Sequence, residues 1–116
     1  MKSYTNLEQS KKLAEILPIK SADMVFVHTT DLEGDEHYDI DFRRNQPLFE
    51  DDVCAWSLAA LLEELNRNCW KVSLKCCGAE WDMTYDDGER YISVSSDYAI
   101  DACVEMIIKL HEMNLL

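Results

Sequence analysis

Between Lys71 and Val94 three segments alternate apolar and polar residues, separated by two short turns that each contain a glycine. That pattern leaves this stretch little choice but a three-stranded antiparallel meander. Lys71-Val72-Ser73-Leu74-Lys75-Cys76 runs into Gly78-Ala79, a pair suited to a two-residue type II′ turn. Trp81-Asp82-Met83-Thr84-Tyr85 alternates again, and Asp87-Gly88 offers a type I′ turn into Arg90-Tyr91-Ile92-Ser93-Val94. The first turn aligns Cys76 with Trp81, Leu74 with Met83 and Val72 with Tyr85; the second aligns Tyr85 with Arg90, Met83 with Ile92 and Trp81 with Val94. Both registers gather the apolar side chains on one face, while Lys75 opposes Asp82 and Lys71 opposes Asp86 on the other. A slip of one residue would turn every apolar side chain to the wrong face.

The remainder reads as helices and strands around this meander. Thr5-Asn6-Leu7-Glu8 matches a capping box, with Thr5 as N-cap, and opens a helix running through Leu13 and Ile16 to a stop near Pro18. Met24-Val25-Phe26-Val27 is an unbroken apolar run, which predicts a strand covered on both faces. The polar loop Asp31 to Glu36 leads to His37-Tyr38-Asp39-Ile40-Asp41-Phe42, an alternating hairpin partner. Arg43 to Asp52, with Pro47 inside it, is the longest expected loop. A second helix is expected over Val53 to Asn66, where Leu58, Leu61, Leu62 and Leu65 form one buried stripe. Ser95-Ser96-Asp97 is expected to cap a last helix from Tyr98 to Asn114. The polar residues of that helix form a single narrow stripe, so its apolar arc calls for cover on more than one side, by a sheet and helix or by a second subunit.

A chain of 116 residues with 47% hydrophobic and 29% charged residues suits one globular domain, 1–116, able to bury its own core. The N-terminal residues hold no apolar stretch of signal-peptide type and no apolar run is long enough to cross a bilayer, so a cytosolic location is expected. Five cysteines without paired spacing fit reduced, structural thiols better than a disulfide framework or a zinc ribbon. Eleven Lys and Arg face 23 Asp and Glu, a formal net charge of −12. Such a surface repels nucleic-acid phosphates and anionic membranes and attracts a basic protein partner.

Few residues suggest chemistry. Cys54 stands at the expected mouth of the second helix, where the helix dipole lowers a thiol pKa. Glu50, Asp51 and Asp52 precede it and oppose a thiolate, and no motif ties His28, His37 or His111 to it. Asp31, Glu33, Asp35, Glu36, Asp39 and Asp41, with His37 among them, could gather around a divalent cation, yet the spacing around Gly34 and Gly88 fails the EF-hand rule. His37 and Asp39 share one strand face, a pair that can hold zinc but lacks a third ligand. His111 suits the C-terminal end of the last helix as a dipole partner. The chain carries neither a glycine-rich phosphate loop nor a Gly-x-Ser-x-Gly elbow. No cofactor is expected. Trp70 and Tyr98 are the aromatic residues expected at the surface, beside the acidic residues Asp31, Glu33, Asp35, Glu36, Glu50, Asp51 and Asp52.

Ala22-Asp23-Met24, the run from Ala55-Trp56-Ser57-Leu58 to Glu63, and Ser96-Asp97 with Ile100-Asp101-Ala102 and Glu105-Met106 occur in this order along most of the chain. Together they resemble a group of small proteins encoded by gut bacteria, often in phage-like or other mobile regions. The resemblance implies a cytosolic, mobile-element setting and brings no activity or catalytic residues with it. Where such proteins often carry a proline before Trp-Ser-Leu, this chain has Cys54-Ala55, which speaks against Cys54 as a required nucleophile.

The expected fold is α+β: one antiparallel sheet of about five strands with three helices packed on it. The leading functional expectation is an acidic, non-enzymatic interaction or accessory factor for a basic protein surface. The alternatives are a cysteine-dependent hydrolase or transferase using Cys54, and divalent-metal binding through residues 31–41. A homodimer through helix 98–114 is a separate expectation.

Overall fold

The computed structural model describes residues 3–43, 51–68 and 71–116. Within them the chain forms helices α1 (Leu7–Leu13), α2 (Leu58–Asn68) and α3 (Ala99–Glu112). The strands are β1 (Met24–Thr30), β2 (Glu36–Phe42), β3 (Val53–Ala55), β4 (Val72–Cys77), β5 (Glu80–Asp86) and β6 (Tyr91–Ser96). The class is α+β, as expected, but the six strands divide into two antiparallel sheets ordered β2-β1-β3 and β4-β5-β6, not one sheet of five. The extra strand is Val53-Cys54-Ala55, which the helical spacing of the following leucines had drawn into the second helix. It pairs with β1 as Met24 with Ala55, Val25 with Cys54 and Phe26 with Val53. Three residues carry almost no periodicity of their own, so only this pairing makes them a strand.

The meander forms, and its first turn keeps the expected register, Val72 with Tyr85 through Cys77 with Glu80. Gly78 at φ 66° opens that turn and no positive φ follows at Ala79, the type II′ pattern. The second register is two residues away from expectation: Tyr85 meets Ile92, Met83 meets Val94 and Trp81 meets Ser96. Asp87 causes the shift, because its Oδ1 accepts from the backbone N–H groups of Glu89 (2.9 Å) and Arg90 (2.6 Å) and draws both into the turn. These bonds, with the Tyr85 hydroxyl, hold the Asp87 carboxyl below its usual pKa. A two-residue shift preserves faces, so the apolar side survives.

That side packs on α3, and α3 is covered in turn by α2 and α1. Met83, Ile100, Cys103, Met106, Ile107 and Leu110 are completely shielded from solvent in the resulting core. The wide apolar arc of α3 is therefore filled within one chain, with sheet on one side and helices on the other. No side chain caps α3: Tyr98 is its N-cap, while Ser95 and Ser96, expected there, belong to β6.

The capping box of α1 is one residue later than expected. Gln9 N donates to Asn6 Oδ1 (2.7 Å) and Asn6 N to Gln9 Oε1 (3.0 Å). Thr5 is fully buried instead, its hydroxyl 2.7 Å from that of Ser10 and accepting from Trp56 N at 3.1 Å. Trp56 fills the junction between β3 and α2 with no exposure, its Nε1 donating to Ser21 Oγ at 2.9 Å. Ser57 then caps α2 by accepting from Ala60 N (3.2 Å), and Asp23 accepts from both Ser57 N (2.8 Å) and Ser57 Oγ. The Ala22-Asp23-Met24 and Trp56-Ser57-Leu58 segments of the resemblance thus meet in space and fasten the start of β1 to the start of α2. Among the described residues no helix is long and apolar enough to cross a membrane.

Candidate functional site

Cys54 does not sit at a helix mouth. It lies on β3, buried and facing the main core. Burial pushes its thiol above the ordinary value, Arg43 partly opposes this, and Asp52 adds to it. The histidines do not converge on it. His28 follows Val25, the partner of Cys54, by three residues and so projects from the opposite face of the sheet. His37 pairs with Thr29, four residues and about 13 Å farther along β1. His111 is in the last turn of α3. The helix-dipole premise of the cysteine reading is thereby removed. The other described thiols divide between core and surface. Cys103 is buried and pushed up to about 12 by that burial, whereas Cys76 and Cys77 are exposed, against the expectation that all the cysteines are structural. Cys77 hydrogen-bonds Asp82, which raises its pKa, while Asp82 is lowered chiefly by the hydroxyl of Ser95, which donates to it at 2.6 Å.

Two grooves next to the helices are lined by charged residues. One of 430 Å³ between α1 and α3 is lined by Gln9, Lys12, Asp101 and Glu105, with Gln9 Nε2 donating to Asp101 Oδ1 at 2.7 Å. One of 260 Å³ is lined by Lys20, Ser21, Glu63 and Glu64, and the buried Glu64 lies 3.2 Å from Arg67 Nη1.

The strongest concentration of one charge sign is the β1–β2 hairpin. Asp31, Glu33, Asp35, Glu36, Asp39 and Asp41 lie in it, and residues 24–42 contain no lysine or arginine. Its base is anchored: Met24, Phe26 and Ala55 form a small second core with Tyr4, Leu7, Ile40 and Val53, and the rings of Tyr4 and Phe26 meet edge to face at 6.2 Å. Among the described residues β3 accompanies β1 only as far as Phe26, and Val27 to Thr30 with their β2 partners continue as a two-stranded arm for about another 13 Å. Every residue of β2 except Ile40 is exposed, including Tyr38 and Phe42, and Leu32 at the tip is fully exposed.

The carboxylates of the arm do not gather. Asp31 Oδ1 accepts from Glu33 N and Asp35 N (both 2.9 Å) and so shapes the tip. Glu36 lies 3.7 Å from His28, and Asp39 lies 3.3 Å from His37 and accepts from Thr29 Oγ1 at 3.1 Å. Among the described residues no three His, Cys, Asp or Glu side chains come together in a way that could hold a metal ion: Asp31, Glu33 and Asp35 lie in the turn, and Glu36, His37, Asp39 and Asp41 follow one another along β2.

No family model, no curated protein and no solved structure matches this chain. Of the expected surface residues, Tyr98 is 47% exposed beside the start of α3, Asp51 is exposed and Asp52 half-buried ahead of β3. Glu50, Trp70 and Pro47 with most of the expected long loop lie outside the described residues. The aromatic surface that sequence reasoning missed is Tyr38 and Phe42. They alternate with polar residues on an edge strand, where Tyr38 meets only the edge of the His28 ring among the described residues (5.2 Å) and Phe42 stays 70% exposed at the base of the hairpin.

Proposed function

We propose that this protein is a small, acidic, non-enzymatic interaction factor that docks a basic protein surface through the β1–β2 arm. The observation that carries the reading is the β1–β2 hairpin: six carboxylates and no lysine or arginine, five of the six on the arm that extends past β3 among the described residues. Like charges held that close repel one another, and a cationic surface relieves the repulsion on docking. The setting we infer from the resemblance is the cytosol, among the products of phage-like or other mobile regions.

Two isoelectric variants test it. In one, the six hairpin carboxylates become Asn or Gln; in the other, the exposed Glu8, Glu15, Glu80, Glu89, Glu105 and Glu112 become Gln. With cytochrome c as the basic probe, the native protein binds with an affinity that falls as salt rises. The arm variant loses about tenfold or more in affinity at low salt, and the control variant keeps most of it. Equal losses in the two variants would show that net charge acts without the arm.

A further inference from the structure

We infer that β2 is a docking edge that takes an added strand: an extended segment of the partner polypeptide with lysine or arginine at alternate positions and apolar residues between them. This rests on the reading of the arm as the interaction site and specifies how the partner is held there.

The backbone decides which groups are available. Arg43 N donates to Asp23 O and Asp31 N to Asp35 O, both at 2.9 Å, at the two ends of the β1–β2 ladder. In an antiparallel pair the bonded positions alternate, so His37, Asp39 and Asp41 direct their N–H and C=O groups at β1. Glu36, Tyr38, Ile40 and Phe42 direct theirs away from it, along the outer edge of the sheet. Phe42 N is occupied by Asp41 Oδ1 at 2.8 Å. The edge groups of Glu36, Tyr38 and Ile40 have no strand beside them among the described residues. Such an edge is a template for one more strand.

Side chains select what that strand is. His37, Asp39 and Asp41 stand on one face of β2, and Tyr38, Ile40 and Phe42 on the other, with Phe42 70% exposed. A strand laid beside β2 places alternate residues within about 5 Å of Asp39 and Asp41, where a cation is favoured and an anion opposed. Its remaining side chains fall next to Tyr38, Ile40 and Phe42, where apolar groups gain cover. A second copy of this chain is a poor occupant. Pairing two β2 strands about Asp39 or about Ile40 sets carboxylate against carboxylate, between molecules that each carry −12.

The test uses the intact protein and an acetylated, amidated heptapeptide, Lys-Val-Lys-Ile-Lys-Val-Lys. Two further versions carry backbone N-methyl groups, one on the lysines and one on the apolar residues. The parent peptide binds and slows amide exchange at Tyr38 and Ile40, while Asp39 and Asp41, already bonded to β1, are unchanged. One methylated version, the one whose methyl groups face β2, loses about tenfold or more in affinity, since several main-chain bonds vanish together. Tyr38→Pro removes an outward N–H and no bond to β1, stands outside the second core, and lowers affinity more than Tyr38→Ala does. Should all three peptides bind alike and exchange at Tyr38 and Ile40 stay unaltered, strand addition is wrong although charge-driven docking stands. If the arm-neutralised variant binds the parent peptide as well as the native protein does, both readings fall. A protein that dimerises through β2 and excludes the peptide would replace the partner with a second copy.

Discussion

At the scale of single residues, environment overrides residue type. Cys54 and Cys77 are both thiols with raised pKa, for different reasons: burial at Cys54, a hydrogen bond to Asp82 at Cys77. Access separates them further, because Cys54 and Cys103 are buried while Cys76 and Cys77 are exposed. Iodoacetamide at neutral pH is therefore expected to modify Cys76 and Cys77 first and to reach Cys54 and Cys103 only slowly, as read by peptide mass spectrometry. Preferential labelling of Cys54 in the folded protein would revive the cysteine reading. Residue identity alone could not distinguish these thiols. The motif that made Cys54 interesting was its place before a run of leucines, and three residues of strand pairing with β1 removed it from the helix. Thr5 shows the same limit. Thr5 with Glu8 and Asn6 with Gln9 are equally good capping boxes on paper, and the hydroxyl of Thr5 is withdrawn into the core by Ser10 and Trp56.

At the scale of elements, what was legible was whatever a long period enforces. The meander has three alternating strands that must agree with one another, so its faces and its first register were readable from residues 71 to 94. Its second register was not, because the capture of two backbone amides by Asp87 is a local bond that an Asp-Gly turn signal does not encode. The arm was readable as a hairpin, whereas its open outer edge depends on strand order, which no single strand contains. The junction of β3 and α2 makes a quantitative case. Ser57 caps α2 while both its N–H and its hydroxyl bond to Asp23. Ser57→Ala and Asp23→Ala are each expected to lower stability by about 1 kcal/mol in urea unfolding. The double variant is expected to lose less than the sum, since the two residues share their bonds. Additive losses would mean that Asp23 and Ser57 act separately.

At the scale of the whole molecule, the radius of gyration is 15.5 Å, against about 13 Å for a compact domain of this length. The outline is elongated, with extents of 55 × 30 × 21 Å. The centre is conventional: α3 is enclosed by the meander, α2 and α1, and seven of its side chains are buried without help from another chain. The apolar arc that suggested a homodimer through 98–114 is thus satisfied internally. Light scattering at high micromolar concentration is expected to return the mass of one chain. A dimeric mass would direct attention to the exposed Tyr98 and Met113 at the two ends of the helix. The tip of the arm has a different consequence. Asp31 to Asp35 is held by its own backbone and the Asp31 carboxylate, and Leu32 is fully exposed. Foreign sequence spliced in between Leu32 and Gly34 gives up the bonds of Glu33 N and Gly34 N to Asp31 and adds the entropy of a longer loop, about 0.6 kcal/mol for each doubling of its length, but displaces no core side chain. That makes the tip a handle by which the molecule can be tethered or marked while its interior is left undisturbed.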